Sequence, residues 1–204
     1  MIINTTLIIF KINNKQSIII KNLCYEGNHL YRWDPVDIIF KNKSLEYIIS
    51  QHDYLMPKIE DIYYYLQSAI KNKLPVLKSM KGKLGYFRNQ GLHQENTASC
   101  EKPIDKEKWK TPIYIMWGGN KFNTWLYNQN NKIFLEITPC YPWHFNEPKA
   151  GDNYVPYDEW IKSYKPLIII EIDKVTAQQW YDQAGKIMQE IEKNDEKYLH
   201  TPQE

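Results

Sequence analysis

The stretch FNTWLYNQNNKIFLEIT, residues 122–138, decides how this chain folds. Two runs rich in β-branched and aromatic residues flank Asn130-Asn131. Asparagine tolerates the left-handed φ values that a tight hairpin turn requires, so the stretch reads as antiparallel strands over Phe122–Gln129 and Lys132–Thr138. A two-residue loop sets Trp125 opposite Glu136 and Tyr127 opposite Phe134. A four-residue loop sets Trp125 opposite Phe134 and Asn123 opposite Glu136. Either choice leaves the faces unchanged, because side chains alternate along a strand. Phe122, Thr124, Leu126, Ile133, Leu135 and Ile137 make a core face. Asn123, Trp125, Tyr127, Phe134, Glu136 and Thr138 make a face of aromatics, amides and one carboxylate. Such a mixture suits recognition, with stacking area plus a few directional groups. A face covered by a helix or loop is the competing reading, and it is the more usual fate of aromatic side chains.

Outward from the hairpin, Ile113–Trp117 reads as a strand leading into a Gly118-Gly119-Asn120 turn. Leu7–Ile12 and Ser17–Cys24 read as strands of another hairpin, and Val36–Phe40 as a strand entered through Asp34-Pro35. Leu45–Ser50 fits helix and strand equally. Leu167–Ile172 reads as a buried strand. Helical spacing of Ile59, Ile62, Tyr63, Leu66 and Ile70 predicts a helix over 57–73, ended by Leu74-Pro75. A second begins near Thr176, which with Gln179 matches a capping box, and carries Ala177, Trp180, Tyr181, Ala184, Ile187, Met188 and Ile191 as its stripe. Tyr157–Tyr164 reads as a short helix, and the tail from Asn194 as a fraying end. Residues 78–111, with Gly82, Gly85 and Gly91, read as a mobile loop or subdomain boundary that hides at most a strand at Leu84–Phe87. The expectation is one α+β domain over 1–204, a two-layer sandwich of a mainly antiparallel sheet with two principal amphipathic helices.

Composition narrows the function. A net charge of +2 over 204 residues, with Arg32 and Arg88 as the only arginines, is unlike a dedicated nucleic-acid binder. The basic run Lys71, Lys73, Lys78, Lys81, Lys83 and Arg88, with Tyr86 and Phe87 among it, reads as a solvated face; a backbone-tracking strip is its sharper alternative. Cys24, Cys100 and Cys140 are too few and too scattered for a disulfide framework, and read as reduced thiols. No apolar run reaches membrane-spanning length, and the N-terminus lacks a basic signal-peptide region, so the cytoplasm is the expected location.

No nucleotide loop, zinc-protease motif or nucleophile elbow occurs. Cys140 and His144 stand four residues apart near Glu136, short of the three or four ligands a metal needs and of the orienter a Cys–His nucleophile needs. No metal or cofactor is expected. The prolines of Pro139-Cys140-Tyr141-Pro142-Trp143-His144 stiffen that segment for presentation to a partner. The leading expectation is a non-catalytic protein-binding module, in its most concrete form an inhibitor or toxin-neutralising immunity-type protein. Its contacts are Trp117, Asn120, Asn123, Trp125, Glu136, Tyr141, Trp143 and His144, since Trp and Tyr dominate interface hot spots. The alternative is an enzyme whose pocket lies between the hairpin and residues 139–156, with Glu136 as acid/base and His144 assisting.

Overall fold

The computed structural model describes residues 7–23, 29–97, 114–119, 121–144 and 146–200. An α+β fold is observed, but with two four-stranded antiparallel sheets in place of the single sheet expected. The first is a meander of β1 (Leu7–Lys11), β2 (Gln16–Asn22), β3 (Pro35–Asn42) and β4 (Leu45–Tyr54). β4 explains why its sequence was ambiguous. Val36 pairs with Asp53, Ile38 with Ser50 and Ile39 with Ile48, so extra residues bulge from β4 and break the alternation a reader looks for.

The second sheet runs β5 (Ile115–Gly118), β6 (Phe122–Gln129), β7 (Lys132–Pro139) and β8 (Ile168–Ile172). Its hairpin takes the two-residue loop: Asn130 and Asn131 have φ of 51° and 61°, and Trp125 faces Glu136 while Tyr127 faces Phe134.

α1 (Leu55–Ile70) starts two residues before the expected position. The carbonyls of Asp34 and Arg32 accept from the amides of Leu55 and Met56, so neighbouring backbone satisfies donors that a cap side chain would otherwise serve. It ends early because Asn72, at φ 55°, adopts the left-handed cap and donates to Ala69 O at 2.9 Å. Leu55, Met56, Ile59, Ile62 and Leu66 are buried along it, at roughly 1.5–3 kcal/mol each. α4 (Lys174–His200) is capped by Asp173, whose carboxylate accepts from both the amide and the hydroxyl of Thr176, so Thr176 is a first-turn residue and not the cap. The helix also outruns the expected fraying point. Asn194 is buried and donates to Leu30 O at 3.0 Å, and Asp195 pairs with Arg32 at 3.3 Å. Both contacts fasten the last turns to the chain entering β3.

α1 and α4 pack together through Tyr63 and Tyr181, whose rings stack at 4.5 Å with hydroxyls 2.7 Å apart. One hydrophobic cluster joins these helices to Phe10, Ile18, Ile20, Ile38 and Phe40 of the first sheet and to Leu126, Leu135 and Ile137 of the second. The free edge of β1 lies beneath α4: Trp180 Nε1 donates to Lys11 O at 3.0 Å and Gln183 Nε2 to Ile9 O at 3.3 Å. Such cover keeps an edge strand from pairing with another chain. Residues 78–97 are not the loop expected. A 3-10 turn at Lys78–Met80 leads into α2 (Leu84–Thr97). The short helix near Tyr157 is present as α3 (Tyr157–Trp160), continued by a 3-10 turn at Ile161–Ser163.

Candidate functional site

The polar-aromatic face of the β6–β7 hairpin is covered, not presented. Val76 N donates to Asn128 O at 2.9 Å, and Asn128 N to Leu74 O at 2.7 Å, so residues 74–76 lie against β6. α2 then crosses β7 at close range. A Cβ on Gly85 would collide with Thr138 Oγ1 and the Tyr164 hydroxyl, so only glycine permits the approach. Farther along α2, buried Asn89 donates to Pro139 O at 3.0 Å and accepts from Tyr141 N at 2.7 Å. Val76, Leu84, Trp125, Tyr127 and Phe134 form a second hydrophobic cluster under this cover.

The residues expected to meet a partner are distributed accordingly. Trp125 and Glu136 have 0% exposure, and Trp117, Asn123, Tyr141 and His144 are also buried. Trp117 is held by α1, donating Nε1–H to Lys58 O at 3.1 Å. Trp143 is half-buried, and Asn120 lies outside the described residues. The covered-face reading of the hairpin is therefore the one observed.

Glu136 organises the space under α2. One carboxylate oxygen accepts from the Tyr127 hydroxyl and from Gly82 N, each at 2.9 Å. The other is buried without a hydrogen bond of good geometry among the described residues, although the Leu84 amide also faces the carboxylate and favours its charged form. Burial pushes the carboxyl above its ordinary range, against the lowering effect of these donors and of Lys81. Lys81 itself sits 3.8 Å over the Phe134 ring. Burial likewise pushes the Cys140 thiol up to about 12 and His144 down to about 4, the latter aided by His93 and Arg88. Cys140 is thus a protonated thiol, whereas nucleophilic attack needs the thiolate. Among the described residues, no group of three or more His, Cys, Asp or Glu side chains gathers as a metal site would require.

Past β7 the chain is pinned by stacked rings. His93 of α2 lies on Tyr157 at 3.8 Å and 12°, and Tyr141 packs on His144, Tyr157 and Trp160 at 5.1–5.3 Å. Tyr86 packs on Tyr164, which removes it from the platform the basic run would need for stacking bases. At the rim of this block the half-buried Trp143 meets the exposed Tyr154 at 5.9 Å.

The outer face of the first sheet is organised differently. Ile18, Ile20, Val36, Ile38 and Phe40 point inward at 0% exposure, so alternation turns Ile9, Ile19, Ile39 and Ile48 outward. Register places those four in one row: Ile9 pairs with Ile19, Ile19 with Ile39, and Ile39 with Ile48. Ile9 is 46% exposed and Ile48 38%, and they shelter Ile19 and Ile39 between them. Lysine and polar positions lie on either side of the row, with Lys21 and Asp37 paired on one side and Lys11, Ser17, Lys41 and Glu46 along the other. At the sheet's end, where Pro35 pairs with Tyr54, Trp33 and Tyr54 stand edge to face at 5.3 Å and are 63% and 53% exposed. Sequence reading missed this surface because Ile8-Ile9-Phe10, Ile18-Ile19-Ile20 and Ile38-Ile39-Phe40 are apolar on both parities. Such runs look like strands buried on both sides.

Compared with protein-family models, with curated proteins and with solved structures, the chain matches none. No described helix is long and apolar enough to cross a membrane.

Proposed function

We propose that this chain is a non-catalytic protein-binding module of the inhibitor or toxin-neutralising, immunity type, acting in the cytoplasm, and that it meets its partner with the outer face of the first sheet. One observation carries the reading. Both faces of the second sheet are packed, by α1 and the main core on one side and by residues 76–97 on the other, and the inner face of the first sheet is packed too. The remaining face bears the in-register isoleucine row with no described layer over it. A contiguous exposed apolar patch rimmed by polar positions is the kind of surface that marks an interaction site.

Size favours a protein over a small ligand. β3 has 8 residues; at ~3.3 Å per residue and ~4.8 Å between strands, four strands make a face of roughly 500 Å². The adjoining Trp33–Tyr54 pair extends it toward the ~800 Å² per partner of an ordinary protein interface. The buried, doubly hydrogen-bonded Glu136 and the protonated Cys140 fit structural roles better than catalytic ones.

Native mass spectrometry of the protein drawn gently from its own cells tests the class. A stoichiometric protein partner is expected. A retained small ligand or metal, with no protein, contradicts the reading and puts the enzyme alternative first.

A further inference from the structure

We infer that the partner presents carboxylate side chains to the β1–β2 hairpin end of this face, so that an acidic, apolar-centred protein surface is what the module recognises. The inference rests on the binding-module reading and adds the chemistry of the partner. At that end of the sheet the isoleucine row runs into a concavity of about 380 Å³. Ile9 and Ile19 belong to the row and also line this concavity, and Lys11, Lys15, Lys41 and Lys43 stand around it. No acidic side chain is among its lining residues. Glu46 reaches Lys41 from outside at 3.8 Å, with both side chains well exposed, so it neutralises little of the group. Lys43 is positioned by its own backbone, with φ 56° and its amide donating to Lys15 O at 2.7 Å. That bond ties the β1–β2 turn to the β3–β4 turn and holds the two turn lysines side by side.

The alternatives fit this surface less well. A nucleic-acid backbone is followed by a strip of cations with stacking rings. Here the lysines cluster at one end and their neighbours are isoleucines. An anionic membrane would meet the whole face at once, including Asp37, which is held on that face by His52 N at 3.0 Å. A folded partner needs acid only where the lysines are. Exposed lysines add little to affinity pair by pair. Their effect is steering and orientation, which act on the association rate and fade with salt.

The test uses the full chain in its own cells. A photo-cross-linking side chain replaces Lys15 in one variant and Ile48 in another, and the attached molecules are sequenced. The expected result is one protein joined at both positions, with the peptide captured at position 15 rich in Asp and Glu. Adding Lys11→Glu and Lys43→Glu should reduce that protein's capture at position 48 on the order of tenfold at low salt, with less reduction at high salt. The same protein captured at both positions, through a neutral or basic peptide and undiminished by the charge reversal, overturns the acidic assignment and leaves the binding reading standing. Lipid or nucleic acid captured at position 15 overturns it in favour of that ligand. No capture at either position overturns both readings.

Discussion

Tyr127 donates its hydroxyl to Glu136 at 2.9 Å in a space with no exposure to solvent, two positions apart across the β6–β7 hairpin. Gly82 N, at the threshold of α2, gives the same oxygen its second donor at 2.9 Å. The carboxyl thus ties the covering segment to the sheet, and its burial sets a pH dependence. In the folded chain it holds its proton above the ordinary carboxylate range. Across the window between the two values the folded state binds more protons than the unfolded one, and stability falls as pH rises.

Replacing Glu136→Gln keeps an acceptor for Tyr127 and Gly82 and removes the charge. The variant is expected to be more stable than the native chain near pH 8, with the difference closing as pH falls toward about 4. Urea unfolding at a series of pH values measures this. A deficit in the variant that grows as pH rises would show instead that the ionised carboxylate is the form the fold prefers.

Gly85→Ala places a methyl group against Thr138 and Tyr164. Overpacking of this kind costs about 1–3 kcal/mol. The loss should appear with a red shift of tryptophan fluorescence as α2 lifts from Trp125. An unchanged spectrum and midpoint would mean that α2 packs less closely than described.

Asn194→Ala removes the amide that donates to Leu30 O. Leaving that buried carbonyl unpaired should cost about 1–3 kcal/mol and speed amide exchange in the last two turns of α4. Faster exchange spread evenly over the whole helix would instead point to a global effect.

Much of the architecture was legible in the residues because period and turn chemistry agree. Asn130-Asn131 placed the hairpin turn and its two faces while leaving a two- or a four-residue loop open, and the stripes of α1 and α4 were plain. α2 was not legible, since after Leu84 its contact side continues through Gly85 and Asn89, which carry no apolar period. β4 was not, since bulges erase its alternation. Of the eight candidate contact residues, Asn123, Trp125 and Glu136 lie on the hairpin and share a face there, yet alternation says only which side chains share a face. Which face is covered depends on residues 74–97, far off in sequence, and the same blindness hid the isoleucine row of the first sheet. Pairing of eight strands into two sheets is likewise a long-range choice that no local window contains.

The central claim is that a partner protein sits on that row. Its most direct test compares native complexes of the wild-type chain, of Ile9→Asp/Ile48→Asp and of Val175→Asp, an exposed position of α4 used as control. Each is drawn from its own cells and checked for an unchanged melting temperature. The account predicts a protein partner on the wild type and on the Val175 variant and its loss, at least tenfold, from the isoleucine variant, as about 1.4 kcal/mol or more of lost binding would give. Full retention of the partner by a folded Ile9→Asp/Ile48→Asp chain would contradict it.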